Sequence, residues 1–153
     1  MIERSQRPGD PWSGHMAFPG GMVDAEDRNS LAAAQRETLE EIGLDLHAHG
    51  RLIGRLSDVA SQGHRRYRPM AIVPYVFELK ALPPLRLNHE VASVVWVPLR
   101  FLRDPANRQQ MQWRRLRLPC YFWQGRRIWG LSLMMLDELL THLAVDTMRD
   151  RCS

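Results

Sequence analysis

Lysine is almost absent from this 153-residue sequence: Lys80 stands alone among 21 basic residues. The 17 acidic groups are outnumbered, and the formal charge is +4. Arginine grips phosphate with a planar two-toothed fork, so the bias admits a surface for anionic ligands. The plainer reading, a coding preference for arginine, is favoured, and nucleic-acid binding does not follow from the charge. Cysteine is scarce as well. Cys120 and Cys152 are too few and too poorly placed for a disulfide framework, which points to a reducing cytoplasm. No apolar run approaches the roughly 18 residues that span a bilayer, and the polar N-terminus has no signal-peptide core, so no membrane role is expected. Repeats, low-complexity segments and dividing linkers are missing too. Residues 1–153 therefore read as one domain, large enough to bury a core.

What is present has a mixed rhythm. Residues 5–15 are rich in Pro, Gly, Ser and Asp and read as a loop. Asn29 or Ser30 can cap a helix that uses Leu31, Ala34, Leu39 and Ile42 for packing and ends at Gly43. Arg51–Val59 and Met70–Leu79 are strand-like, and Pro74 within the second suggests an edge or a bulge. Pro83-Pro84 marks a turn. Ala92–Val97 reads as a strand and Pro98–Arg103 as a short helical turn. Leu116–Trp123 and Arg127–Gly130 form a predicted hairpin about Gln124-Gly125. Leu131–Val145 reads as a packed helix. Such an order favours an α+β fold with helices against a sheet.

The most informative stretch starts with Gly20-Gly21 and runs into the helix carrying Glu37, Glu40 and Glu41. Those glutamates lie at i, i+3 and i+4, so they project from one helix face. Like charges at that spacing are unfavourable in a bare helix. The cluster makes sense with a divalent cation over it. Hard cations such as Mg²⁺ take oxygen ligands and commonly arrive with substrate phosphates.

Arg36-Glu37-Thr38-Leu39-Glu40-Glu41-Ile42-Gly43-Leu44 resembles the second half of the Nudix box, G-x5-E-x7-R-E-U-x-E-E-x-G-U, with Thr38 at an apolar position U. The first half departs from it. Counting back from Arg36 puts Met22 and Arg28 where the box glycine and glutamate belong, so the loop is one residue longer and Gly21 is the box glycine. Phe18-Pro19-Gly20-Gly21 with Asp24-x-x-Asp27 is similar to the coenzyme A pyrophosphatase-like branch. Arg4-Ser5, Gly14-x-x-x-Phe18, His89-Glu90-Val91, Trp96-Val97-Pro98-Leu99 and Trp129-Gly130-Leu131 resemble the same branch. The resemblance implies a Nudix α/β/α sandwich with a mixed sheet. It also implies an N-terminal strand that this sequence truncates at Met1-Ile2-Glu3. A missing strand would bare a sheet edge, and such edges invite pairing, so a homodimer is the accompanying expectation.

The same resemblance implies hydrolysis of a diphosphate bridge with Mg²⁺ or Mn²⁺. The metal would neutralise phosphate charge and acidify the attacking water. Glu37 and Glu41 would be direct ligands, with Glu40 as a further or water-mediated ligand and the Gly20 carbonyl alongside. Arg36 would pair with a loop carboxylate, Asp27 or Asp24, although Asp27 could instead serve the helix N-terminus electrostatically. Glu90, just before the predicted strand, is the candidate general base, with Glu78 second; a solvated loop charge is the bland alternative. Arg4 is a candidate substrate clamp, as are Arg65, Arg66 and Arg68. Gly20 and Gly21 would admit close backbone approach to the substrate.

Other residues are read more plainly. His15 and His89 lack a second histidine at zinc spacing and are expected to hydrogen-bond or face solvent. Trp96 and Trp129 are expected in the core, and Cys120 as a buried structural thiol. The substrate expectation is coenzyme A or a derivative. ADP-ribose, dinucleotides and other nucleoside diphosphate-linked compounds are alternatives, as is a Nudix-like nucleotide-binding module without turnover.

Overall fold

The computed structural model describes residues 1–61 and 70–149 of the protein. Arg65, Arg66, Arg68 and Cys152 lie outside them. The chain packs as two compact units, each drawn from two stretches of sequence. One comprises Met1–Arg55 with Tyr75–Trp96; the other comprises Leu56–Pro74 with Val97–Ser153.

The first unit is organised around one capped helix. Strands β1 (Ile2–Arg4) and β2 (Met16–Ala17) are followed by α1 (Ser30–Ile42), α2 (Leu46–His49) and β3 (Gly50–Arg55). Two later strands, β6 (Tyr75–Leu79) and β7 (Val91–Val94), complete it. Asn29 caps α1 by accepting from the Ala32 N–H at 2.9 Å, which satisfies one of the free donors of the first turn. At the other end Gly43 takes a left-handed conformation, and its N–H donates to the Leu39 carbonyl. The next carbonyls are satisfied by a crossing segment: the Arg86 N–H reaches Ile42 at 3.0 Å and the Asn88 N–H reaches Glu41 at 2.9 Å. The run toward β7 is thereby fastened to the end of α1.

Thr38 occupies an apolar position of the helix and is buried. Its hydroxyl donates to the Ala34 carbonyl at 2.7 Å, which leaves a methyl group to face the interior. Ile42 joins Ile2, Leu44, Leu46 and Val91 in the core, with Phe77, Leu79 and Leu85 packed against it. Leu39, expected to pack, is instead 50% exposed. It sits one position past the buried stripe, on the flank of the helix.

β1 is the middle strand of a three-stranded antiparallel sheet ordered β2–β1–β7. Both its edges are hydrogen-bonded, so the bare edge expected at Met1-Ile2-Glu3 is not found there. β3 and β6 form a separate antiparallel pair with a bulge between Leu52 and Gly54. The protein is α+β as expected. Every strand pairing among the described residues is antiparallel, so its mixed character lies in the helices and sheets rather than in strand direction.

The second unit holds β4 (Val59–Ser61) and β5 (Met70–Ile72), an antiparallel pair, then α3 (Leu99–Arg103) and a single 3₁₀ turn at Pro105–Asn107. Strands β8 (Gln109–Trp113), β9 (Leu116–Trp123) and β10 (Arg126–Trp129) form a meander ordered β10–β9–β8, and α4 (Gly130–Arg149) follows. The β9–β10 turn is the predicted Gln124-Gly125, both residues at positive φ (49° and 77°), the signature of a type I′ hairpin. Cys120 and Ile128 are fully buried. The Tyr121 hydroxyl donates to the Leu102 carbonyl at 2.9 Å, and Arg108 forks onto Asp137 of α4 at 2.6 and 2.8 Å. Among the described residues no helix is long and apolar enough to cross a membrane.

Candidate active site

The site is built entirely within the first unit. Glu41 faces inward from α1 and is only 5% exposed. Its Oε2 accepts from the Gly20 N–H at 3.1 Å, so the loop before the helix is docked on the carboxylate. Burial pushes the Glu41 pKa up to about 7, reinforced by the nearby charges of Glu37 and Glu90; the Gly20 hydrogen bond and Arg4 oppose the shift. A buried acid repelled by two other acids is an under-compensated negative site.

The two loop glycines serve different purposes. Gly20 holds φ at 152°, a conformation that side-chain-bearing residues rarely adopt. Gly21 has no such angle. A Cβ there would press into the Glu37 carboxylate, with Oε2 at 2.8 Å and the other carboxylate atoms closer still. The absence of a side chain at 21 is what lets Glu37 lie against the loop.

Arg36 binds loop to helix. Its Nε donates to Asp27 Oδ1 at 3.2 Å and its Nη2 to Oδ2 at 2.9 Å, a two-point fork. Nη2 also reaches the Met22 carbonyl at 3.0 Å. Asp24 is more distant at 3.5 Å, so Asp27 supplies the carboxylate. The hydrogen bonds from Arg36 hold the Asp27 carboxyl below its ordinary range, and Arg36 itself is pushed up by Asp27 and Glu37. The remaining nitrogen, Nη1, donates to Glu37 at 2.9 Å and to Glu40 at 3.3 Å. Glu40 is the most solvent-facing of the three, its side chain 55% exposed.

Glu90 adds to the upward push on the Glu41 pKa, but it is not an isolated base. Its Oε1 is 3.1 Å from Arg7 Nη2 and 3.9 Å from His89 Nε2. Glu78, the second candidate, pairs with Arg51 on β3 at 2.7 Å. Arg4 donates to Asp10 at 2.8 Å, and Asp10 is held below its usual range by that bond. His15 packs edge-on against Trp12. Trp96, expected in the core, is 57% exposed because β7 ends two residues earlier. Cys120 is buried as expected, and burial raises its thiol pKa.

Asn88 escaped sequence reasoning. Its N–H holds the Glu41 carbonyl and its Oδ1 accepts from the Glu90 N–H at 2.8 Å, so one residue spaces the two acids. The only sequence signal is an asparagine two residues before Glu90, an Asx-turn pattern. Arg7 and Asp10 were also missed: Arg7 meets Glu90 from far away in the sequence, and Asp10 meets Arg4 across a loop that has no regular period.

A divalent cation can be tested against this donor set. The donors fit in kind: hard carboxylate oxygens with an under-compensated charge at Glu41. Yet among the described residues no three His, Cys, Asp or Glu side chains already converge as a ligand group, since Glu37 and Glu40 turn toward Arg36.

A family model for the NUDIX domain matches residues 1–117, and the chain belongs to the Nudix hydrolase family. Relatives carry the likeness further. The chain is 39% identical over 115 residues to an uncharacterised protein of Schizosaccharomyces pombe, covering 73% of this chain and 35% of that one. It is 30% identical over 158 residues to the human mitochondrial coenzyme A diphosphatase NUDT8, covering 97% and 64%. It is 29% identical over 142 residues to the Nudix hydrolase NudL of Photorhabdus laumondii, covering 87% and 71%. The chain thus spans about a third of the yeast protein's length and about two thirds of the other two.

Proposed function

We propose that this protein hydrolyses the diphosphate linkage of coenzyme A or one of its derivatives, with a divalent cation, Mg²⁺ or Mn²⁺, as cofactor. The observation that carries the reading is the buried Glu41 carboxylate, docked on the Gly20 N–H and repelled by Glu37 and Glu90. Coenzyme A diphosphatases among the relatives support the substrate class.

Glu37 and Glu41 would hold the cation, with Glu40 and the Gly20 carbonyl as further oxygen donors. When bound, such an ion supplies charge neutralisation at the bridging phosphates and acidifies water. The other groups act on their own account. Arg36, forked onto Asp27, keeps the glycine loop seated against α1. Arg4 is placed to receive an anionic substrate group, steadied by Asp10. Glu90 is the general base in this reading, within reach of Glu41's field and oriented by Asn88 and Arg7.

Incubation with a panel of diphosphate compounds and Mg²⁺ or Mn²⁺, followed by mass identification of products, tests the proposal. Cleavage of coenzyme A to phosphopantetheine and adenosine 3′,5′-bisphosphate is the expected result. Cleavage of ADP-ribose or dinucleotides in preference would move the substrate assignment. Tight binding with no product from any compound would replace the enzyme with a nucleotide-binding module. A cytoplasmic setting, a single domain over residues 1–153 and a homodimer complete the proposal. With β1 paired on both sides, β2 and β7 are the edges a dimer would use, and a monomer at micromolar concentration in sedimentation would reject it.

A further inference from the structure

The loop between β1 and β2 is closed on itself and carries an open tryptophan. Ser13 clasps Arg7 twice: its Oγ accepts from the Arg7 N–H at 2.9 Å and donates to the Arg7 carbonyl at 3.0 Å. Asp10 clasps two more residues, Oδ2 accepting from Arg4 at 2.8 Å and Oδ1 from the Trp12 N–H at 2.9 Å. Backbone bonds from Asp10 to Arg7, from Ser13 to Asp10 and from His15 to Trp12 fix the rest. Trp12 is nevertheless 45% exposed. Its ring meets His15 at 5.5 Å and 78°, an edge-to-face contact that covers at most one indole face. A fastened loop with a bare aromatic is a platform ordered before anything lands on it, so binding there costs little further ordering.

The same loop adjoins the acids of the candidate site. The Ser5 N–H donates to the Glu90 carbonyl at 2.8 Å, and Arg7 reaches the Glu90 carboxylate at 3.1 Å. Arg4 is close enough for Glu41 to feel its charge. A single carboxylate, Asp10, separates Arg4 from the Trp12 backbone. The Arg4 and Arg7 side chains are 35% and 37% exposed. A guanidinium has five N–H donors, so each offers an outer edge beyond the carboxylate it meets.

The geometry points to Trp12 as the seat of the substrate's adenine, resting on the reading above in which the acids cleave a diphosphate. In an adenine nucleotide one ribose separates the base from the phosphates. A base platform therefore belongs one sugar away from the acids with cations in between, and Trp12, Arg4 and Glu41 supply that order. Bases stack on any open aromatic face. The pantetheine arm of coenzyme A has no flat ring and gains nothing from an indole, which leaves this loop to the nucleotide half.

Calorimetric titration of the whole protein with adenosine 3′,5′-bisphosphate and with phosphopantetheine, in Mg²⁺, tests the assignment. Trp12→Ala should weaken the bisphosphate about tenfold, and Trp12→Phe should stay within about threefold of the parent. Trp12→Leu restores bulk without a π face and should fall with alanine. Phosphopantetheine should bind every variant like the parent. The bisphosphate should also move the one indole N–H NMR signal, of five, that Trp12→Phe removes. Thermal melts report the fold, and the indole signal is read on the parent should alanine unsettle the loop. Undiminished bisphosphate affinity in Trp12→Ala, beside a parent that cleaves coenzyme A, overturns the assignment and leaves the hydrolase standing. A parent that binds no bisphosphate overturns it as well. So does affinity that leucine rescues, because packing on His15 would then suffice. Trp12-dependent binding with no cleavage of any diphosphate upholds the base site and defeats the hydrolase reading instead.

Discussion

Gly21→Ala separates the site's chemistry from the protein's stability. Gly21 has an ordinary backbone angle, so alanine is not strained there, unlike at Gly20. The added Cβ meets only the carboxylate end of Glu37, and ordinary contact begins at 3.4 Å. The carboxylate must therefore retreat by about 1 Å, and a misplacement of that size can cost on the order of 100-fold in rate. Because a glutamate tip is flexible, the fold itself should lose no more than about 1 kcal/mol, or roughly 2–4 °C in Tm for a chain of this size. The assay is kcat/KM on coenzyme A with saturating Mg²⁺, beside a thermal melt of the same sample. A near-normal melt with a rate down about 100-fold supports the placement of Glu37 against the loop. A rate within threefold of the parent would refute the assigned position of that carboxylate. A collapsed melt would refute the claim that only a movable side chain is in the way.

Further outcomes follow from neighbouring groups. Glu41 titrates near 7 in the fold against about 4.3 in an unfolded chain, so the native state holds the proton more tightly. The contribution is therefore intact below about pH 4.3 and is lost as pH rises to 7, by roughly 4 kcal/mol at 1.36 kcal/mol per unit. Metal-free melts should show this loss, and Glu41→Gln should flatten it; an unchanged pH profile in the variant would assign the effect elsewhere. Asp27→Asn should weaken the Arg36 fork and lower turnover at least tenfold while retaining the melt profile, and full activity would show that the loop needs no such anchor. Glu90→Gln should lower kcat far more than it raises KM; a pure KM change would make Glu90 a substrate contact.

Much of the first unit was legible in the sequence because its signals are local. Asn29 and Gly43 bound α1 as their chemistry requires, and the spacing of Glu37, Glu40 and Glu41 sets their common side. Choosing between Asp24 and Asp27 was beyond sequence reasoning, because both precede the helix within reach of Arg36 and only the loop's path separates 2.9 from 3.5 Å. β1 and β2 are three and two residues long, too short for alternation to register. β8 hid in Gln109-Gln110-Met111-Gln112, where only Met111 is buried and polar residues dominate. The predicted Met70–Leu79 strand divides at Pro74 into β5 and β6, which pair with different partners. Proline lacks the N–H a continuous strand would need. Trp96 was misplaced because apolar character predicts burial only where the strand continues, and β7 stops at Val94. The link from Asn88 to Glu41 is tertiary and had no pattern to reveal it; only its turn onto Glu90 is local.

The most direct measurement is Mn²⁺-dependent product formation from coenzyme A by the parent protein beside Glu37→Gln, Glu40→Gln and Glu41→Gln. Loss of turnover by orders of magnitude at Glu41 and Glu37, with a smaller loss at the exposed Glu40, is the expected ranking. Equal turnover by the parent and the Glu41 variant at saturating Mn²⁺ would contradict it.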